Sequence, residues 1–179
     1  FNGCNKLTSI PSGLFANCSK VTTFAYTFNG CSGLTSAIPS NLFQNCSSVT
    51  TFEYTFNGCN KLTGTIPSTL FTNCTKVTSF RSTFDNCSSL TGTIPSALFA
   101  NCPNVTDFSE AFFACRKLTK IPAELFSNCS KAENFCLTFC HCEKITKIPE
   151  NLFSNRPNVT NFTHTFSSCT SLIGFAPEL

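Results

Sequence analysis

The sequence predicts an α/β repeat solenoid, a coil of 27–28 residues per turn with short parallel strands and short helical or 3₁₀ turns. Three observations predict it. One pattern recurs along the 179 residues, with steps of 27, 28, 28, 28, 27 and 27 between Phe1, Phe28, Phe56, Phe84, Phe112, Phe139 and Phe166. Nineteen of the 21 Phe fall in three columns of that pattern, and 12 of the 14 Cys fall in two. Charged residues make up only 12% of the chain, roughly half the usual share, with Ser, Thr and Asn in their place.

Each unit reads F-x-x-C-x-x-L-T-x-(x)-I-P-x-x-L-F-x-N-C-x-x-V-T-x-F-x-x-T, and the optional residue appears as Ala37, Thr65 and Thr93. The apolar-Thr-x-apolar piece suits a short strand, because β-branched and aromatic residues favour that conformation. The Pro after Ile has no N–H and ends the pairing. Ser12-Gly13-Leu14-Phe15-Ala16-Asn17-Cys18 then predicts a single helical or 3₁₀ turn, with Leu14, Phe15 and Cys18 on its inner face. A short polar turn leads into V-T-x-F. Six units are complete and the seventh stops at Leu179. Residues 1–179 therefore read as a single repeat domain, and as part of a longer array.

Phe15, Phe43, Phe71, Phe99, Phe126 and Phe153 form the second Phe column, and Phe24, Phe52, Phe80, Phe108, Phe135 and Phe162 the third. In a solenoid each column becomes a stack, with a ring about 5 Å from its equivalent in the next coil. A buried Phe contributes on the order of 2–3 kcal/mol, so three per coil can carry a fold otherwise rich in Ser and Thr.

Segments such as Asn5-Lys6-Leu7-Thr8-Ser9-Ile10-Pro11-Ser12-Gly13-Leu14-Phe15 resemble leucine-rich repeats. The element Phe56-Asn57-Gly58-Cys59-Asn60-Lys61-Leu62-Thr63 resembles the BspA-like branch, found on surface proteins of bacteria and some parasitic protists. The resemblance covers the whole chain and implies a right-handed, leucine-rich-repeat-like coil with an extracellular adhesion or recognition role. The chain departs from the usual L-x-x-L-x-L segment, because Phe24 is followed by two variable residues and Phe28.

The first Cys column is Cys4, Cys31, Cys59, Cys87, Cys115, Cys142 and Cys169; the second is Cys18, Cys46, Cys74, Cys102 and Cys129, interrupted by Arg156. As small hydrophobes these side chains would pack beneath the Phe stacks. Disulfides between adjacent coils are the rival, since a spacing near 5 Å lies within the permitted Cα separation. Three Cys and a His lie within Cys136–Cys142, and a disulfide among Cys136, Cys140 and Cys142 is the special use expected there. Classical zinc spacing is missing, and no metal or cofactor is expected.

Catalytic motifs are absent: no G-x-S-x-G, phosphate loop or H-E-x-x-H occurs, and the nine carboxylates, Glu178 among them, are scattered. No enzyme is expected. The informative positions follow the third Phe column, where Ala25-Tyr26, Glu53-Tyr54, Arg81-Ser82, Ser109-Glu110, Cys136-Leu137 and Thr163-His164 change in size and charge while their neighbours barely change. These side chains are expected to face solvent, with Tyr26, Glu53, Tyr54, Arg81, Glu110 and His164 as candidate binding residues. Basic residues gather late in the chain with Glu124, Glu133, Glu143 and Glu150 among them, which reads as a mixed solvated surface. N-x-S/T sequons recur at Asn17, Asn45, Asn73, Asn86, Asn104, Asn128, Asn158 and Asn161.

A net charge of +3 is too small to argue for nucleic acid, and no apolar run approaches the roughly 20 residues of a membrane span. The chain opens on Phe1 without an initiator Met, as a processed or partial segment would. The expected protein is secreted or on the cell surface, and mediates adhesion or protein or glycan binding on a host or neighbouring cell. The alternative is a spacer or self-assembling fibre subunit that stacks end to end.

Overall fold

The computed structural model describes residues 1–154 and 156–174, in which each repeat forms one coil stacked in parallel on the next. Glu178 and Leu179 lie outside the described residues.

The aromatic columns form the core. Rings of the first column stack at 5.4–5.7 Å, those of the second at 5.9–6.2 Å and those of the third at 5.5–6.0 Å. The centroids sit somewhat further apart than the expected coil spacing, as offset rings do. The second and third columns interlock. Phe43 lies 4.7 Å from both Phe24 and Phe52, with planes inclined by 49° and 57°. This tilted packing is the favourable arrangement for ring quadrupoles, and it keys each coil to the one before and the one after.

Backbone bonding follows two alternating rules between Phe24 and Cys31. The N–H groups of Phe24, Tyr26, Phe28 and Gly30 donate to Thr51, Glu53, Thr55 and Asn57 of the next coil at 2.7–3.2 Å. The N–H groups between them, on Thr27, Asn29 and Cys31, close turns on the carbonyls three residues back. The set recurs at successive boundaries as far as His141 N–H to Ser167 O. Buried threonines reinforce it: the Thr55 hydroxyl lies 3.0 Å from Phe24 O and 2.7 Å from Phe52 O, one from each coil.

The strands are shorter than the sequence suggests. The V-T pieces meet through single parallel rungs, Thr23 with Thr51, then Ser79, Asp107, Asn134 and Asn161 in series. On the L-T-x-I side a ladder forms between β1 (Gly92–Thr93) and β2 (Leu118–Lys120), with a register shift between Gly92 and Thr93. That shift falls where the coil carrying the optional Thr93 meets one that lacks it.

The helical or 3₁₀ turns expected at Ser12–Cys18 and its equivalents do not form; the described residues contain no helix. Instead, turns close at Leu14 N–H to Pro11 O, Ala16 N–H to Gly13 O and Cys18 N–H to Phe15 O. These bonds skip residues, whereas a 3₁₀ helix needs them in succession. Leu14, Phe15 and Cys18 still turn partly inward, because a chain of turns also brings residues three or four apart to one side.

Candidate binding surface

The variable pairs lie at the bend between the third and first Phe columns. Their first residues are held by a side-chain cap: Thr23, Thr51, Ser79, Asp107, Asn134 and Asn161 each accept the N–H two residues on, at 2.8–3.2 Å. Every residue in this column has a short side chain with an acceptor oxygen, which is the requirement of Asx and ST turns. That column of T, T, S, D, N and N is a signal of these turns readable in the sequence itself.

The second residue of each pair is left-handed. Tyr26, Tyr54, Ser82, Glu110, Leu137 and His164 all have φ between 50° and 59°. A second left-handed column contains Gly3, Gly30 and Gly58, followed by Asn86, Ala114, His141 and Ser168. A non-glycine residue in this region costs on the order of 1–2 kcal/mol. The glycine solution is used in one column and nowhere in the other.

Four coils contribute to a continuous strip. The Tyr26 and Tyr54 rings stack at 4.8 Å with 6° between their planes. The Arg81 guanidinium lies 5.7 Å from the Tyr54 centroid and 3.7 Å from Glu110, each side chain retaining solvent exposure. Ser82 Oγ donates to Glu110 Oε2 at 3.2 Å. Exposed pairs of this kind contribute little to stability, but together they hold two phenols, a guanidinium and a carboxylate in one preorganised row. The structure thus brings together Tyr26, Tyr54, Arg81 and Glu110. Glu53 is half-buried beside Tyr54, while His164 stands exposed two coils beyond Glu110. The solvent-facing expectation does not extend to Ser82 and Ser109, which are buried under the strip.

Beside this row sits Asp85, in the column that Asn29 and Asn57 occupy in earlier coils. It is 8% exposed and bonded to Asn86 Nδ2 at 2.8 Å. Burial, with the Glu110 charge adding to it, pushes its carboxyl up to about 7 against the opposing Asn86 bond.

All 14 cysteines are free thiols, Cys136, Cys140 and Cys142 included. The first column is hydrogen-bonded: Cys31, Cys59, Cys87, Cys115, Cys142 and Cys169 donate to a Phe carbonyl of the preceding coil at 3.0–3.1 Å. The second makes longer contacts of 3.7–3.8 Å, and where Arg156 replaces Cys its guanidinium donates to Phe126 O. Burial raises the buried column thiols above their ordinary range, to about 12 at Cys59 and Cys74, so they are poor nucleophiles at neutral pH. No group of three or more His, Cys, Asp or Glu among the described residues is placed to hold a metal ion. No helix among them is long and apolar enough to cross a membrane.

A family model described as "Mycoplasma protein of unknown function, DUF285" matches residues 1–125 and again 72–174. No curated protein matches the chain. Among solved structures, a leucine-rich repeat protein from Bacteroides ovatus is 22% identical with a TM-score of 0.42, over 93% of this chain and 40% of that one. The Toll–Spatzle complex of Drosophila gives 18% identity and a TM-score of 0.30, over 95% of this chain and 32% of that one. The plant peptide hormone receptor RGFR1 in complex with RGF2 gives 16% and 0.29, over 97% and 38%. The chain spans well under half the length of each.

Proposed function

This chain belongs to the DUF285 family, and from that premise we propose that it is a non-catalytic binding module that uses the Tyr26–Tyr54–Arg81–Glu110 strip to engage a protein partner. The carrying observation is the left-handed column. Tyr26, Tyr54, Glu110, Leu137 and His164, with the buried Ser82 among them, keep side chains where glycine would relieve the backbone, and strain retained at a varying position that mostly reaches solvent points to function. Tyr and Arg are also the residues that dominate protein interfaces. The location and role carried by the BspA-like resemblance complete the reading: a secreted or cell-surface segment acting in adhesion.

The test is a binding screen of the fluorescently labelled chain on an array of extracellular proteins and glycans, beside the triple variant Tyr26→Ala, Tyr54→Ala, Arg81→Ala. The reading expects protein hits that the triple variant loses while its melting temperature holds. Hits retained by the triple variant would remove the strip from the case. Signal only between copies of the chain would favour the self-assembling alternative.

A further inference from the structure

A second surface carries an amide that recurs from coil to coil, where the tyrosine strip varies. From the second coil on, the Asn that precedes a second-column Cys reaches back one coil with its amide. Asn45 Nδ2 donates to Ala16 O at 2.7 Å, Asn73 to Gln44 O at 2.7 Å, Asn101 to Thr72 O at 2.9 Å and Asn128 to Ala100 O at 2.8 Å. Two shallow depressions follow this ladder and share Thr75. One is bordered by Asn17, Asn45 and Asn73 with Ser19, Gln44 and Ser47, and the other by Asn101, Pro103 and Asn128. No charged side chain lines either depression.

We propose that this groove docks a neutral linear polysaccharide laid along the solenoid axis. Each ladder Asn commits one amide N–H to the neighbouring coil, which fixes the amide plane and leaves a second N–H and the oxygen for a ligand. An exposed group that is already immobile loses little entropy on binding. The Ser or Thr two residues on, as at Ser19, Ser47 and Thr75, adds a hydroxyl that both donates and accepts. The amide recurs in each of these coils, joined by a hydroxyl except where Pro103 follows Asn101, and the parallel backbone rungs between successive coils set the repeat at about 5 Å. A polymer of polar rings, each about as long as one coil is tall, keeps one ring beside each ladder Asn; an acetamido group on the sugar pairs directly with an Asn amide. A polypeptide does not suit an unvarying row, since its same-face side chains differ from one to the next and recur at about 6.6 Å. A sulfated or phosphorylated polymer would call for lining Lys or Arg.

The groove is tested by calorimetry of the full chain with N-acetylchitohexaose and cellohexaose, and with a sulfated heparin hexasaccharide for contrast. The blocking variant is Ser47→Glu with Thr75→Glu, two exposed side chains outside the amide ladder. A neutral hexasaccharide should bind. Affinity should fall by about tenfold or more in S47E/T75E at unchanged melting temperature, while the Tyr26→Ala, Arg81→Ala variant binds as before. Three results would each overturn the proposal: neither neutral sugar binds, S47E/T75E binds equally well, or the sulfated sugar binds more tightly.

Discussion

The Cys59 thiol donates to the Phe28 carbonyl of the preceding coil at 3.1 Å, and that same oxygen accepts the Cys31 N–H from its own coil at 3.0 Å. From Cys31 onward, each first-column cysteine thus joins two coils at a carbonyl already used in a turn. Cys74 differs, since its sulfur lies 3.8 Å from Cys46 O, a contact too long to contribute as much. Both side chains are fully buried, so alanine leaves a similar cavity at either site. Cys59→Ala should therefore cost about 2 kcal/mol and Cys74→Ala about 1 kcal/mol less, the difference being one modest hydrogen bond. Urea midpoints of the two variants measure it, and equal losses would reduce the thiols to space-fillers.

The same burial makes the fold sensitive to alkali. Burial raises Cys59 from 9.0 to about 12 and Cys46 from 9.0 to about 11, so the folded state keeps its thiol protons after the unfolded chain has released them. The stabilisation is complete below about pH 9 and is lost as pH rises through the folded values. Denaturation midpoints should fall steadily between pH 9 and pH 11, and replacing Cys46 or Cys59 with alanine should flatten that slope. The buried column thiols should also resist alkylation at pH 8 until the chain unfolds, whereas Cys4, the exposed first member of its column, reacts at once.

The core was legible because residue type reports burial directly: the columns of Phe28, Phe43 and Phe52 name three stacks, and their contacts follow from the repeat length alone. Backbone conformation was less so. L-F-x-N-C places apolar residues at helical spacing, yet a succession of turns satisfies the same spacing, and Phe15 turns inward either way. The left-handed residue at Tyr26 gives no sign in the sequence, because the tyrosine takes a conformation that its type does not favour. The strip itself was only half visible. Variability selected Tyr54 and Arg81 separately, but Arg81 aligns with Glu53, not with Tyr54. Their contact crosses between columns, so it depends on side-chain reach that the alignment of repeats does not encode.

Asp85 gives the strip a dependence on pH. Its carboxyl is raised from 3.8 to about 7 by burial and by Glu110, one coil away, which is itself held by Arg81 and Ser82; Asn86 partly opposes the shift. The protonated form is the one the fold prefers, so this group's stabilisation is complete below about pH 4 and is lost as pH climbs through 7. Asp85→Asn restores the residue found at Asn29 and Asn57 and has nothing to ionise. The variant should match the wild type near pH 4 and exceed it in urea midpoint at pH 8. Parallel pH profiles for the two proteins would show that the carboxyl is solvated in solution.

His164 isolates the cost of the left-handed column, because its side chain is exposed and its φ is 54°. Glycine reaches that conformation without a Cβ clash, whereas a β-branched residue is the poorest fit to it. His164→Gly should therefore raise stability by up to about 1 kcal/mol, and His164→Val should lower it by a similar amount. Thermal melts of the two variants against the wild type decide the matter. If the order is Gly above His above Val, the column holds side chains against the preference of its backbone, which is what a surface kept for recognition requires. If glycine gives no gain at His164, the neighbouring turns already absorb the strain, and only the Tyr26–Tyr54–Arg81 contacts mark this surface for recognition.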